Sequence, residues 1–418
     1  MNFFTLAARG LVVSVGLLLA ASASGQSARP DPQDFSQIAH GRYVAVLGDC
    51  AACHTNPGGP PYAGGRAITT PFGNVLASNI TPDRATGIGA WTDAQFIRAM
   101  TEGIAPGGRR LYPAMPYPYY AKMTTRDLIA LKAYLNTLAP VRNRVRSDQL
   151  PFPFDIRFGL VLWNWLFYTP GTFKPNLHES ATWNRGAYLV EGPGHCAACH
   201  TAKNFLGGDE RSQSLRGYAI QGWFAPDITD NNRVGIGAWS LADIVSYLKT
   251  GVNGHAIASG PMAEEVQDSS SHMTRTDLRA IAVFLKSLPS PANSQGQALA
   301  ANDPAMRAGQ AIFIDECASC HTSGGAGIPR LFPRLKGSAV VQSVSPDSLI
   351  HVVLDGTRAV ATNAAPTAPA MPPFGWKLSD AEVADVLTYI RNALGNHAAP
   401  VTSGDVRSAR STFAQSGP

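Results

Sequence analysis

No cysteine lies outside three pentapeptides in this chain of 418 residues, so an iron–sulfur cluster or a separate disulfide framework has no thiols to draw on. A glycine-rich nucleotide loop is missing, and so is a Ser-His-Asp signature. Chemistry on an organic substrate must then belong to another chain. Beyond the N-terminus no apolar run reaches the length of a bilayer span, and the longest candidate, residues 158–168, is interrupted by Asn164. There is no cluster of lysine and arginine either, so the formal net charge of +5 is no footprint for nucleic acid.

What is present is a repeated attachment motif. Cys50-Ala51-Ala52-Cys53-His54, Cys196-Ala197-Ala198-Cys199-His200 and Cys317-Ala318-Ser319-Cys320-His321 together use all six cysteines. Two thiols at this spacing can add across the vinyl groups of one haem, and the adjacent histidine is then held beneath the iron. A redox dithiol, a disulfide or half a zinc site would explain one such motif. Three copies, each followed by histidine and with no cysteine left over, fit none of these. The motifs predict three covalently bound haem c groups, attached at Cys50, Cys53, Cys196, Cys199, Cys317 and Cys320 with His54, His200 and His321 as proximal ligands.

Residues 1–25 read as a signal peptide. Arg9 precedes an apolar stretch at 11–21, and small residues suited to signal peptidase follow it. Export fits haem attachment outside the cytoplasm. Losing Arg9 lowers the charge by one, and each haem adds two propionates, so the basic balance shrinks further.

Around each motif the sequence repeats, with a unit too long and too irregular for a solenoid. Gly41-Arg42-Tyr43, Gly186-Ala187-Tyr188 and Gly309-Gln310-Ala311 open segments running into the first cysteine of each motif. Gly87-Ile88-Gly89-Ala90-Trp91 and Gly235-Ile236-Gly237-Ala238-Trp239 follow in the first two copies, each succeeded by a capping hydroxyl, Thr92 or Ser240. The third copy has Ser345-Pro346 instead, an N-cap with proline at the first helical position. Each copy closes on a helix signalled by Thr124-x-x-Asp127, Thr274-x-x-Asp277 or Ser379-x-x-Glu382. Leu128, Leu131, Tyr134, Leu135 and Leu138 recur at helical spacing in the first of these. Tyr134, Phe284 and Tyr389 occupy one position, where a closing helix would cross the glycine of the opening helix. The pattern resembles the small class I cytochrome c domain, and that resemblance implies an all-α fold of three tandem domains, at residues 35–140, 181–288 and 304–396. Residues 141–180 form an aromatic-rich interdomain segment, 289–303 a linker and 397–418 a polar C-terminal tail. The aromatic stretch 152–173 is expected to pack between the first two domains, the alternative being a docking surface for a partner or a membrane.

The second axial ligand decides between carrier and catalyst. Methionine is the usual sixth ligand in such domains, and Met115, Met262 and Met371 stand at matched places, in proline-stiffened loops before the closing helix. Met123 and Met273 compete, but the third copy has Leu378 at that position, which marks an apolar packing site. His195, His255, His272 and His351 recur in no second copy. A haem enzyme such as a peroxidase would need an iron lacking its methionine, and each copy supplies one. For orienting the proximal histidine, Pro333 stands where class I cytochromes c place their proline carbonyl; no counterpart is assigned in the first two copies.

The string Trp183-Asn184-Arg185-Gly186-Ala187-Tyr188-Leu189-Val190, the segments Asn79-Ile80-Thr81-Pro82-Asp83 and Asp227-Ile228-Thr229, and the ending Tyr389-Ile390-Arg391-Asn392 resemble the triheme cytochrome c subunit of periplasmic dehydrogenase complexes. That family serves alcohol, gluconate, sorbitol, fructose and aldehyde dehydrogenases. The resemblance implies a catalytic partner holding a flavin, a pyrroloquinoline quinone or a molybdenum centre, and electrons passed to ubiquinone or a terminal oxidase. It also implies a place on the periplasmic face of the cytoplasmic membrane. Some members carry a C-terminal hydrophobic anchor, which residues 401–418 do not resemble. A free periplasmic electron shuttle is the competing reading.

Overall fold

The same pair of helices forms three times. In the computed structural model, which describes residues 34–145, 149–290 and 298–416, helix Phe35–Leu47 crosses Thr125–Leu135, Ala181–Glu191 crosses Arg275–Ser287, and Pro304–Ile312 crosses Asp380–Asn392. The expected signal peptide and residues 291–297 of the expected linker lie outside the described residues. Backbone meets backbone at each crossing, which only glycine permits. A Cβ on Gly41, Gly186 or Gly309 would sit 1.8, 2.0 or 2.1 Å from the carbonyl oxygen of Ala130, Ala280 or Asp385. The same Cβ would lie 2.9 Å from the Cβ of Tyr134, and 2.8 Å from those of Phe284 and Tyr389. The aromatic position is thus the one that seats over the missing side chain.

Local chemistry fixes where these helices start. Thr124, Thr274 and Ser379 accept from the backbone N–H of Asp127, Asp277 and Glu382. Thr92 and Ser240 build full capping boxes with Gln95 and Asp243 on helices Asp93–Glu102 and Leu241–Thr250, which end at Gly103 and Gly251 in left-handed conformation. In the third copy helix Asp347–Asp355 starts one residue later than expected, with Pro346 at the cap and the Ser345 hydroxyl accepting from Asp347 N–H. The closing helices bury one face: Leu128, Leu131 and Leu135 in the first, Leu278, Ile281 and Leu285 in the second, Val383, Val386 and Ile390 in the third. Each such side chain contributes about 1.5–3 kcal/mol of burial.

Two expectations change. The fold is helix-rich but contains antiparallel hairpins: β1 (Ala67–Thr70) with β2 (Gly73–Leu76), β3 (Tyr218–Ile220) with β4 (Trp223–Ala225), and β5 (Thr357–Arg358) with β6 (Ala370–Met371). Strands this short carry no usable alternation. The second hairpin turns on Gln221 and Gly222, both at positive φ, as a type I′ turn requires. The expected polar tail is instead partly helical. Residues Ser403–Ser416 form a helix started by Thr402, whose hydroxyl accepts from Asp405 N–H. Val401 and Val406 are buried in the third core, and Arg410 donates to Asp380 Oδ1 and to the carbonyls of Gly375 and Leu378, each at 2.7 Å. Few apolar positions are needed to dock it, so its composition reads as polar.

The aromatic segment packs with one face only. Helix Gly159–Phe167 seats Leu160 in the interior. Asn164 accepts from Tyr117 Oη at 2.5 Å, and Trp163 Nε1 donates to Leu206 O at 2.9 Å. It therefore touches both the first and second copies. Its other face does not pack: Phe152, Phe158 and Trp165 are 79, 80 and 78% exposed. No helix among the described residues is long and apolar enough to cross a membrane.

Candidate functional site

Each attachment motif is a short helical turn, so cysteines three apart and the next residue, histidine, project from one face. The residue before the first cysteine bends the chain into it. Asp49 and His195 adopt positive φ, 47° and 35°, whereas the third copy reaches Cys317 through a π-helical turn, Phe313–Cys317. No disulfide joins any two of the six cysteines. Burial pushes Cys50 and Cys196 up to about 12, Cys53 and Cys317 up to about 11, and Cys199 upward as well. Burial of this kind disfavours the thiolate on which a redox dithiol depends. Among the described residues no three His, Cys, Asp or Glu side chains converge to hold an ion.

The histidines are oriented alike. Nδ1 of His54, His200 and His321 lies 2.6, 2.7 and 2.9 Å from the carbonyl oxygens of Ser78, Pro226 and Pro333. Donation from Nδ1 leaves Nε2 as the nitrogen available to a metal. Burial lowers all three histidine pKa values, favouring the neutral imidazole that binds a metal. The Pro333 carbonyl stands where expected. The first two copies use the carbonyls of Ser78 and Pro226, each immediately before the Asx residue of its repeated segment. Asn79 Oδ1 accepts from Thr81 N–H and Oγ1 at 2.9 and 2.7 Å, and Asp227 Oδ1 does the same for Thr229 at 2.7 and 2.7 Å. These Asx turns hold the preceding carbonyl toward the ring, and their recurrence was the signal that could have found it.

One cavity of about 1730 Å³ is lined by residues of all three motifs. A pocket for a single ligand is roughly 300–1,000 Å³, so this volume suits several large groups. Met115, Met262 and Met371 all line it, together with Trp91 and Trp239. Their local settings differ: Met115 follows Pro113 in a turn, Met262 lies in the first turn of helix Pro261–Asp268, and Met371 ends β6. Met123 is buried in the first core and absent from the lining; Met273 and Leu378 are buried and reach the wall. Of the four other histidines weighed, His195 and His255 line the cavity, His351 stacks on Trp223 at 4.0 Å, and His272 Nε2 meets Gln267 O at 3.0 Å.

The wall between the first two motifs is acidic. Burial and neighbouring carboxylates push Asp49 up to about 9, burial raises Glu265 to about 7, and Glu264 pairs with Arg66. The buried Asp49 Oδ1 has no hydrogen-bond partner. Apolar walls, paired thiols and oriented imidazoles together fit covalently bound haem.

Comparison with known proteins agrees. The cytochrome c family pattern matches residues 38–139 and 306–393. The gluconate 2-dehydrogenase cytochrome c subunit of Pantoea cypripedii is 38% identical over 423 residues, covering 96% of this chain and 95% of that one. The cytochrome c subunit of the quinone-type alcohol dehydrogenase of Gluconacetobacter polyoxogenes is 39% identical over 416 residues, covering 95% and 88%. A diheme cytochrome c-type protein of Cereibacter sphaeroides is 34% identical over 302 residues, covering 67% of this chain and 98% of its own length. Thiols, histidines and cavity define a c-type cytochrome carrying covalent haem c. Within that class the chain belongs to the family of dehydrogenase cytochrome c subunits.

Proposed function

We propose that the chain is a triheme cytochrome c subunit that takes electrons from a periplasmic dehydrogenase oxidising an alcohol, sugar or aldehyde and passes them to ubiquinone or a terminal oxidase. Three tandem cytochrome c domains, at residues 35–140, 181–288 and 304–396, hold the groups. Cys50 and Cys53, Cys196 and Cys199, and Cys317 and Cys320 attach them. His54, His200 and His321, together with Met115, Met262 and Met371, would supply the iron ligands. Bound haem would supply a one-electron couple at its iron, and a methionine ligand would raise its potential. The chain's own part is to hold each imidazole through the Ser78, Pro226 and Pro333 carbonyls, to exclude water with apolar walls, and to keep the groups in one continuous cavity. The observation that carries this reading is the threefold recurrence of thiol pair, carbonyl-bound histidine and wall methionine. The substrate chemistry belongs to a catalytic partner subunit holding a flavin, a pyrroloquinoline quinone or a molybdenum centre.

A peripheral place on the periplasmic face of the membrane is part of this proposal. It is supported by the exposed rings of Phe152, Phe158 and Trp165, which supply the apolar and aromatic contact area of an interfacial segment.

A pyridine haemochrome assay with mass spectrometry should find three covalent haems per chain, and a dehydrogenase subunit should co-purify and reduce them with its substrate. Two haems would overturn the triheme reading, and absence of any dehydrogenase partner would favour a free shuttle. For location, a Phe158→Ser/Trp165→Ser variant should keep its haem and melting temperature but lose flotation with anionic vesicles. Unchanged flotation would remove the membrane role of this face.

A further inference from the structure

The first and second copies grip each other through a reciprocal contact that the third cannot make. Two residues after the crossing glycine of the first copy, Tyr43 Oη donates to Asp277 Oδ2 at 2.8 Å and accepts from Thr274 N–H at 3.0 Å. Two residues after the crossing glycine of the second copy, Tyr188 Oη donates to Asp127 Oδ2 and accepts from Thr124 N–H at 3.3 Å. One residue before each glycine a basic side chain completes the pattern: His40 Nε2 lies 2.7 Å from Asp127 Oδ1, and Arg185 binds both oxygens of Asp277 at 2.8 Å. Residue i of one copy meets residue j of the other and j meets i, the signature of a two-fold interface, here built within one chain.

The same face carries the attachment motifs. His195 Nε2, just before Cys196, lies 3.4 Å from the carbonyl of Gly48, two residues before Cys50, and its ring meets Tyr120 edge-on at 5.6 Å. Arg66 donates to Ala52 O in the first motif and pairs with Glu264 of the second copy. Lys203 donates to Ala197 O in the second motif at 2.9 Å and to Tyr119 Oη of the first copy at 3.2 Å. Leu47, the last residue of the first copy's opening helix, is buried in the second copy's core.

In the third copy the residues matching the basic and tyrosine positions are Ala308 and Ala311, and Glu382 turns back to cap its own helix at Ser379 N–H. That copy joins by other means, through Trp223 on His351 and Phe224 N–H to Ser348 Oγ at 2.8 Å.

We propose that Tyr43 and Tyr188 are positioning residues whose clasp on Asp277 and Asp127 locks the first two attachment sites together as one interacting redox pair, with the third site outside that clasp. The proposal rests on the triheme reading. Two charged sites held close across a partly buried interface feel each other's oxidation state. Opening the interface admits water and screens that interaction.

The test uses the full-length holoprotein with Tyr43→Phe, Tyr188→Phe and the double variant. Haem content is measured first; fewer than three haems in the wild type refutes the triheme reading rather than the clasp. Potentiometric titration followed by absorbance should show two of the three midpoints shifting, more in the double variant than in either single one, and the third midpoint unchanged. Should the double variant bind too little haem, the single Tyr43→Phe variant gives the same comparison. Three unmoved midpoints, or three that move equally, would overturn the proposal.

Discussion

The first two copies and the third share a framework and differ in how they use its surface. In all three, a glycine crossing, a capped closing helix and a carbonyl-bound histidine recur, because each solves a problem internal to the copy. The outer faces have diverged. The first two spend theirs on each other, through tyrosine, aspartate and a basic residue on both sides. The third leaves alanine at the matching places and covers another part of itself with helix Ser403–Ser416, buried at Val406 and tied by Arg410. Attachment chemistry constrains the inside of such a domain, and the neighbour constrains the outside.

That comparison can be broken most forcefully at the packing position before the closing helix. Met123 and Met273 in the clasped copies and Leu378 in the third are buried at matched places. Truncation to alanine should cost about 2–5 kcal/mol in each, with haem ligation unchanged. Met115→Ala, Met262→Ala and Met371→Ala should do the reverse, converting one haem each toward high spin and lowering its potential. If Met123→Ala removed a thioether–iron band, the ligand assignment would fall.

Next in size are the crossings. Alanine at Gly41, Gly186 or Gly309 would meet a carbonyl oxygen about 2 Å away. Overpacking of this kind costs about 1–3 kcal/mol, more than the ~1 kcal/mol that alanine gains over glycine in a helix. Gly41→Ala and Gly186→Ala should lower one shared unfolding transition, and Gly309→Ala a separate one. A single transition moved equally by all three would show that the third copy is as tightly coupled as the other two.

How much of this was legible follows from the range of each signal. The attachment motifs, the crossing glycines with Tyr134, Phe284 and Tyr389, and the hydroxyl caps are local patterns, and apart from Ser345, where Pro346 takes the cap, the structure holds them where the sequence puts them. The hairpins were missed because strands of two to four residues lie below any periodicity. Helix Ser403–Ser416 was missed although Thr402-x-x-Asp405 repeats the capping pattern used elsewhere, because Val401 and Val406 are too sparse to announce a core face. Asp127 and Asp277 were read as helix-start acids. That role is real, but their larger one depends on tyrosines 61 and 234 residues away, and no local pattern carries such a pairing.

Smaller effects separate the caps. Thr274→Ala and Ser379→Ala each remove an acceptor for a first-turn N–H and should cost about 0.5–2 kcal/mol. Thr274 also stands in the clasp, where its hydroxyl lies 3.4 Å from Tyr43 Oη, so losing that hydroxyl should register in the transition of the first two copies. Ser379→Ala should register only in that of the third. Urea unfolding followed at the Soret band reads both, and equal effects on one transition would contradict the division.

The smallest effect is a dependence on acid. Burial raises the Asp277 pKa, but the hydrogen bonds from Arg185 and Tyr43 and the charge of Arg185 outweigh it, leaving the carboxyl below its ordinary value of 3.8. A carboxylate with a depressed folded pKa binds fewer protons folded than unfolded, so its stabilisation is present above 3.8 and is lost as pH falls through the folded value. Acidification should therefore loosen the first two copies against each other through Asp277, beyond the general acid sensitivity that every copy shares. In Asp277→Asn nothing at this position titrates. The variant should be less stable than the wild type at neutral pH, and the difference should narrow as the buffer passes below about pH 4. Melting curves of the two proteins from pH 6 to pH 2.5 supply the comparison. A difference that stayed constant through the acid range would show that the Asp277 charge does not hold the clasp, leaving the tyrosine hydroxyls and shared apolar packing as its basis.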